Sequence, residues 1–229
     1  KGGYAMELRL ESARATKDID LVLQSTTLSS MENQDRIIQK KLQDAVEKDA
    51  GDFFTFLVGE PTLDLEALPY GGSRYPIDVL LDNRLFVRFP VDMVISYLFL
   101  EPIEQIESQD WLSFEGIEKM PFPAISKEQQ FAEKLHAYSL PREESENSRV
   151  KDLVDMALLM KLGGLQIKVL KTAVQKVFEY RDTHPFPKDL KTPPEKWEPR
   201  FNRLAKECKL EWSQEQTHEK LRSLFSQVR

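Results

Sequence analysis

The hydrophobic spacing of this sequence changes character once along its length, at Met120-Pro121-Phe122-Pro123. Before that point, short runs rich in aromatic and β-branched residues predict strands over 18–23, 53–58, 75–81 and 85–95. Gly71-Gly72 and Asp82-Asn83 punctuate the runs as turns. Between the first two strands, Met31 to Ala50 carries Ile37, Ile38, Leu42, Ala45 and Val46 at helical spacing, with Ser29 or Ser30 placed to cap a covering helix. After the prolines the period is helical throughout. Ser126 and Gln129 are spaced as a capping box, and Phe131, Ala132, Leu135 and Tyr138 follow on one helical face. Further helices are predicted over 149–160, 165–182, 196–209 and 213–228, separated by Gly163-Gly164, His184-Pro185-Phe186-Pro187 and Pro193-Pro194. The pattern predicts an α+β fold: a mixed β-sheet flanked by helices over residues 1–124, then a helical bundle over 125–229.

Composition removes several classes of function. With 41% hydrophobic and 31% charged residues, the 229-residue chain can bury a core, and charges interrupt every apolar run before it could span a membrane. Its one cysteine, Cys208, cannot form an internal disulfide, which suits a reducing cytoplasm, and it reads as an inert thiol. A net charge of -6 argues against general polyanion binding but leaves room for a local basic patch. His136, His184 and His218 are scattered, so neither a zinc site nor a histidine-centred hydrolase is indicated. Lys168, Lys171 and Lys176 read as a solvated helix face before they read as an RNA contact. Tyr70, Tyr75 and Phe86 could stack a base, although strand aromatics are usually core.

The chemistry concentrates near the start. Gly2-Gly3 is followed by a helix-length spacer of about 14 residues and then Asp18-Ile19-Asp20-Leu21. Alternation on a strand sends Asp18 and Asp20 to one face and Ile19, Leu21 and Leu23 to the core. Adjacent carboxylates repel unless a cation sits between them, and Mg²⁺ takes a few carboxylates together with phosphate oxygens and water. Glycines opening a helix free its backbone N–H groups for a phosphate. These features together suggest a site for a metal-bound nucleoside triphosphate. The plain alternative is a solvent-facing Asp pair and an ordinary glycine turn.

A third carboxylate is available in Asp92, set in the apolar run Phe86 to Val94 where an unpaired charge would be costly. Metal ligation explains that placement; so does a strand end or an exposed face, as for Asp78 and Asp82. In the second half, Glu133, Lys134, Asp152 and Asp155 belong to two neighbouring predicted helices. Ordinary surface ion pairs are one reading of them, and Lys134 reaching a groove is the other. Asp152 and Asp155, at i and i+3, share a face that could orient Lys134 or Arg149.

Lys1-Gly2-Gly3-Tyr4-Ala5-Met6, Arg14 to Leu21, Ala132 to Ala137 and Ser148 to Asp155 together resemble the AbiEii/AbiGii toxin family of DNA polymerase β-like nucleotidyltransferases, over residues 1–160. The resemblance implies that Gly2 and Gly3 cradle the triphosphate, that Asp18, Asp20 and Asp92 bind Mg²⁺ or Mn²⁺, and that Lys134 addresses the nucleotide phosphates. It also implies that Asp152 or Asp155 is the acidic residue of the last motif. Tyr4 departs from the Thr or Ser usual in the glycine motif and removes a phosphate-binding hydroxyl.

By the same resemblance the function expected is that of a bacterial toxin in a toxin–antitoxin or abortive-infection (phage-defence) pair. It would transfer nucleotides from an NTP to an RNA acceptor, a tRNA 3′ end in particular, with a cognate antitoxin to restrain it and no membrane partner. A protein acceptor, or a non-catalytic nucleotide-binding or interaction module on the same fold, are the alternatives. The family's glycine motif follows a strand, so a strand and a helix are expected upstream of Lys1, and the sheet seen here is expected to lack one strand.

Overall fold

In the computed structural model, the described residues are 1–10, 13–24, 34–48, 53–64, 72–96, 98–107, 110, 113–116, 118–141 and 149–229. The chain forms two compact units, one made of Lys1–Tyr4 and Thr16–Phe99, the other of Ala5–Ala15 and Leu100–Arg229. The first helix, α1 (Gly2–Arg9), contributes residues to both. The expected boundary at residue 124 thus falls inside the second unit.

The first unit is a mixed sheet covered by one helix. Its strands β1 (Ile19–Gln24), β2 (Phe54–Val58), β3 (Leu63–Asp64), β4 (Gly72–Leu81) and β5 (Arg84–Ser96) run in the order β1-β5-β4-β2, with β3 also pairing β4. The β1–β5 pair is parallel and the others are antiparallel. A parallel neighbour requires a long crossover, and α2 (Gln34–Val46) lies within it. Burial alternates along β4, with Ser73, Tyr75, Ile77 and Val79 turned inward and Arg74, Pro76 and Asp78 on the opposite face. The β4–β5 hairpin closes at Asp82 and Asn83, whose φ values of 51° and 58° are those of a tight two-residue turn.

The core of this unit joins Ile38 of α2 to Val58, Tyr75, Ile77, Val91, Met93 and Ile95, with Ile19, Leu23, Leu42 and Val46 packed around them. Ile38, Leu42 and Val46 recur every fourth residue, which is one stripe of a helix. Ile37 lies off that stripe and is 38% exposed; Leu21, on the same side of β1 as Ile19 and Leu23, is equally exposed and less covered than the spacing suggested. The expected caps Ser29 and Ser30 lie outside the described residues, as do Tyr70 and Gly71.

The outer edge of β2 is sealed by side chains. Gln43 accepts from Val58 N at 2.8 Å and donates to Phe56 O at 3.2 Å, while Gln39 donates to Val58 O at 3.2 Å. One turn of α2 supplies both carboxamides, which stand in for the strand that an open edge would recruit.

Among the described residues the second unit holds, besides most of α1, a two-stranded ribbon and five further α-helices. Strands β6 (Glu104–Glu107) and β7 (Pro121–Ala124) pair antiparallel. The Pro-rich segment at which the hydrophobic spacing changes is itself a strand. Proline cannot donate to a ladder, but in a two-stranded ribbon each strand has an unpaired side where the missing N–H costs nothing. The helices are α3 (Lys127–Ser139), α4 (Val150–Leu162), α5 (Ile167–Arg181), α6 (Glu198–Glu207) and α7 (Gln214–Val228). Ser126 Oγ caps α3 by accepting from Gln129 N at 3.2 Å, and Gln129 Oε1 accepts from Leu100 N at 3.1 Å. Ser213 and Gln216 form the full reciprocal box on α7.

Helix α4 is the centre of this unit. Val150, Leu153, Val154, Met156, Ala157, Leu158 and Leu159 are all buried, as are Asp152 and Asp155. The ribbon is fastened to the same unit by Arg9, which bonds Glu104 and the Ile125 carbonyl, and by Glu104 accepting from Lys127 N at 3.1 Å.

Candidate active site

Two groups of the expected residues are assembled, one in each unit. In the first unit, the register places Asp20 directly beside Asp92 across the parallel β1–β5 pair, and Asp92 directly beside Arg74 across the antiparallel β5–β4 pair. Cross-strand partners project to the same face, so Arg74, Asp92 and Asp20 form a row across the sheet. Asp18, just before β1, joins it through its approach to Arg74. Asp78 is elsewhere on β4, bound by Arg88 at 2.6 Å, so the alternative third carboxylate does not join the group.

Arg74 grips Asp92 with two bonds, Nε to Oδ1 at 2.6 Å and Nη2 to Oδ2 at 2.8 Å, and lies 3.5 Å from Asp18 Oδ2. The paired charges explain how Asp92 can be 7% exposed within an apolar strand. Thr16 Oγ1 donates to Asp18 Oδ1 at 2.8 Å and orients that carboxylate. Among the described residues no guanidinium pairs with Asp20. Burial, then repulsion from Asp18, pushes its carboxyl above the usual range.

The glycine turn abuts Asp20. Gly2 has φ of 69°, in the left-handed region, and a Cβ there would sit 1.8 Å from Asp20 Oδ2. No residue with a side chain fits without displacing that carboxylate. Gly3 N–H donates to the same oxygen at 3.3 Å, so an amide expected to face a phosphate is turned to Asp20.

In the second unit, Lys134 of α3 bonds Asp152 at 3.0 Å and Asp155 at 2.8 Å on α4. Arg14 clasps Asp155 through Nε at 3.0 Å and Nη2 at 3.1 Å. Arg149 lies 3.5 Å from Asp152 Oδ2. Burial alone would discharge Lys134, but Asp155 and Asp152 outweigh it and hold the ammonium above its ordinary pKa. Burial likewise opposes ionised Asp155, and Lys134 and Arg14 reverse the sign and hold it low. These are buried ion pairs, not the solvated ones that composition alone would suggest.

Sequence reasoning missed Arg74, Thr16 and the role of Arg14. Arg14 and Thr16 stand within four residues of Asp18, and a buried carboxylate demands a cation, so a search for partners near the acidic pair would have flagged Arg14. Arg74 is signalled only by register. Tyr75 is fully buried and bonds Asp35 at 3.1 Å, and Phe86 stacks obliquely on Phe54, so neither belongs to the carboxylate row. His136 and His184, distant in sequence, meet with ring centres 4.6 Å apart, linked through Thr183. Burial, then Arg181, lowers the His136 pKa to about 3. Cys208 is buried, and burial pushes its thiol up. Lys168, Lys171 and Lys176 are exposed on α5.

The donor set suits a hard divalent ion, since Asp18, Asp20 and Asp92 offer only carboxylate oxygens from one sheet face. Among the described residues, however, no group of His, Cys, Asp and Glu is closed into a metal-binding cluster. Arg74 engages two of the three carboxylates. No helix among the described residues is long and apolar enough to cross a membrane.

A family model described as "Nucleotidyl transferase AbiEii toxin, Type IV TA system" matches residues 1–223. No curated protein matches the sequence. Among solved structures, MenT4, a nucleotidyltransferase toxin of Mycobacterium tuberculosis H37Rv, is similar at 12% identity and a TM-score of 0.46, over 99% of this chain and 92% of that one.

Proposed function

We propose that this chain, which belongs to the AbiEii nucleotidyl transferase toxin family of type IV toxin–antitoxin systems, moves a nucleotidyl group from an NTP to an RNA 3′ end in a reaction that needs Mg²⁺ or Mn²⁺. The observation that carries this reading is the row of Asp20 and Asp92 with Asp18 on one sheet face, backed by the glycine turn at Gly2.

Asp18, Asp20 and Asp92 are the residues that would hold the metal. A bound divalent ion supplies charge neutralisation on the triphosphate and acidifies an acceptor hydroxyl. The acceptor oxygen forms a bond to the α-phosphorus as the bond to pyrophosphate breaks, and a carboxylate of the row, Asp92 by its place at the centre, takes the hydroxyl proton. Thr16 fixes Asp18, and the glycine turn fixes Asp20, so neither carboxylate needs to reorganise during the reaction. Lys134 stays charged in its clasp with Asp152 and Asp155 in the second unit.

The acceptor proposed is tRNA, so that transfer arrests translation in the cytoplasm, and an antitoxin encoded beside the toxin restrains it. Incubation with each labelled NTP, Mg²⁺ and either total RNA or tRNA tests this. Label in tRNA that vanishes with Asp20→Ala supports the reading. No label in any RNA, with NTP binding retained, overturns it in favour of a nucleotide-binding module; label in a protein identifies a different acceptor class.

A further inference from the structure

Arg74 occupies a position that the function leaves unassigned. It reaches across from β4 to take both oxygens of Asp92 and approaches Asp18, two of the three carboxylates that a divalent ion would use. Its backbone is anchored, because the neighbouring residues turn to the opposite face, where Ser73 Oγ bonds Asp35 at 2.5 Å and Tyr75 bonds the same oxygen at 3.1 Å. The side chain is less confined, at 33% exposure against 10% for Asp92. The anchor is buried and the head is partly open to solvent.

A buried carboxylate needs a cation, and one guanidinium supplies it here. A divalent ion would bring a stronger field to the same oxygens, and two cations at one carboxylate pair repel each other at short range in a partly desolvated site. Metal binding and the Arg74 clasp are therefore competing states.

We propose that Arg74 is a built-in counter-cation that holds Asp92 and Asp18 in the metal-free protein and exchanges with the divalent ion when it binds. Arg74 is thus a positioning residue that sets the metal requirement, keeping Asp92 and Asp18 ordered until metal arrives. The proposal rests on the nucleotidyl-transfer reading of the same carboxylates.

Calorimetric titration of the full chain with Mn²⁺ tests the exchange. Arg74→Gln removes the competing charge and is expected to bind Mn²⁺ about tenfold more tightly than wild type, scaled to roughly one short-range charge contact. Arg74→Lys keeps the charge but loses the two-point fork, and is expected to bind about two- to threefold more tightly. In melting experiments, Mn²⁺ should raise the Tm of Arg74→Gln by more than it raises that of wild type. Asp20→Asn is the control that abolishes binding. Equal or weaker Mn²⁺ affinity in both Arg74 variants, with the Asp20→Asn loss intact, overturns the exchange alone and makes Arg74 a support for the bound metal. No Mn²⁺ binding by wild type or either variant, with or without NTP, overturns the exchange and the metal-dependent reading together.

Discussion

Asp20 and Asp92 stand side by side across the parallel β1–β5 pair, so two carboxylates distant in the chain share one face of the sheet. Asp20 is the strained member. Burial and Asp18 raise its pKa, so the folded state holds its proton more tightly than the unfolded chain does. Its contribution to stability is full below the unfolded pKa and is lost as pH rises through the folded one. At neutral pH, Asp20→Asn should raise Tm by about 2–4 °C, the shift expected for roughly 1 kcal/mol in a chain of this size. Transfer should fall by about a thousandfold or more. A melting curve and a labelled-NTP assay on the same preparation check the pair of outcomes.

Gly2→Ala should separate geometry from charge. The added methyl must displace the Asp20 carboxylate and adopt a φ that costs about 1 kcal/mol for a residue with a side chain. The expected result is at least a tenfold loss of transfer in kcat together with a Tm lower by about 2–4 °C. Unchanged kcat would mean that the glycine turn does not place Asp20.

Asp155 is fully buried between Lys134 and Arg14, so Asp155→Ala leaves two cations without their shared partner. Loss of one member of a buried pair costs about 3–5 kcal/mol. Because Lys134 and Arg14 hold the folded pKa of Asp155 low, its stabilisation is present above the unfolded carboxylate value of about 3.9 and disappears as pH falls through the folded pKa. Tm measured from pH 7 down to about pH 2.5 should show the wild-type advantage over Asp155→Asn shrinking below about pH 4.

The seal on β2 predicts a solubility phenotype. Gln39→Ala with Gln43→Ala uncovers Val58 N–H and the carbonyls of Phe56 and Val58 at a strand edge next to Phe53, which is 89% exposed. Light scattering should detect concentration-dependent association that wild type lacks, with a stability loss of about 1–2 kcal/mol.

The strands and helices were legible because their signals are local. Ser73, Tyr75, Ile77 and Val79 alternate in burial as their positions predict, and Phe131, Ala132, Leu135 and Tyr138 form the buried face of α3. Asp18 and Asp20 could be paired from their spacing. What could not be read was lateral: the choice between Asp92 and Asp78 depends on which strand lies against β1, and Arg74 enters the site only through antiparallel register. Pro121 and Pro123 carry the composition of a linker and sit in β7 because a ribbon has free edges. Leu21 and Ile37 are apolar yet exposed, since periodicity names a face and does not say whether something covers it.

The clasp around Lys134 has a consequence for how an anion is felt there. Lys134 and Arg14 are matched by Asp152 and Asp155, and Arg149 beside Asp152 leaves the group with one net positive charge. Seen from beyond a Debye length of about 8 Å that single charge is largely screened. An anion at a distance meets one screened cation where three side chains carry one, so added salt should scarcely change how fast it arrives.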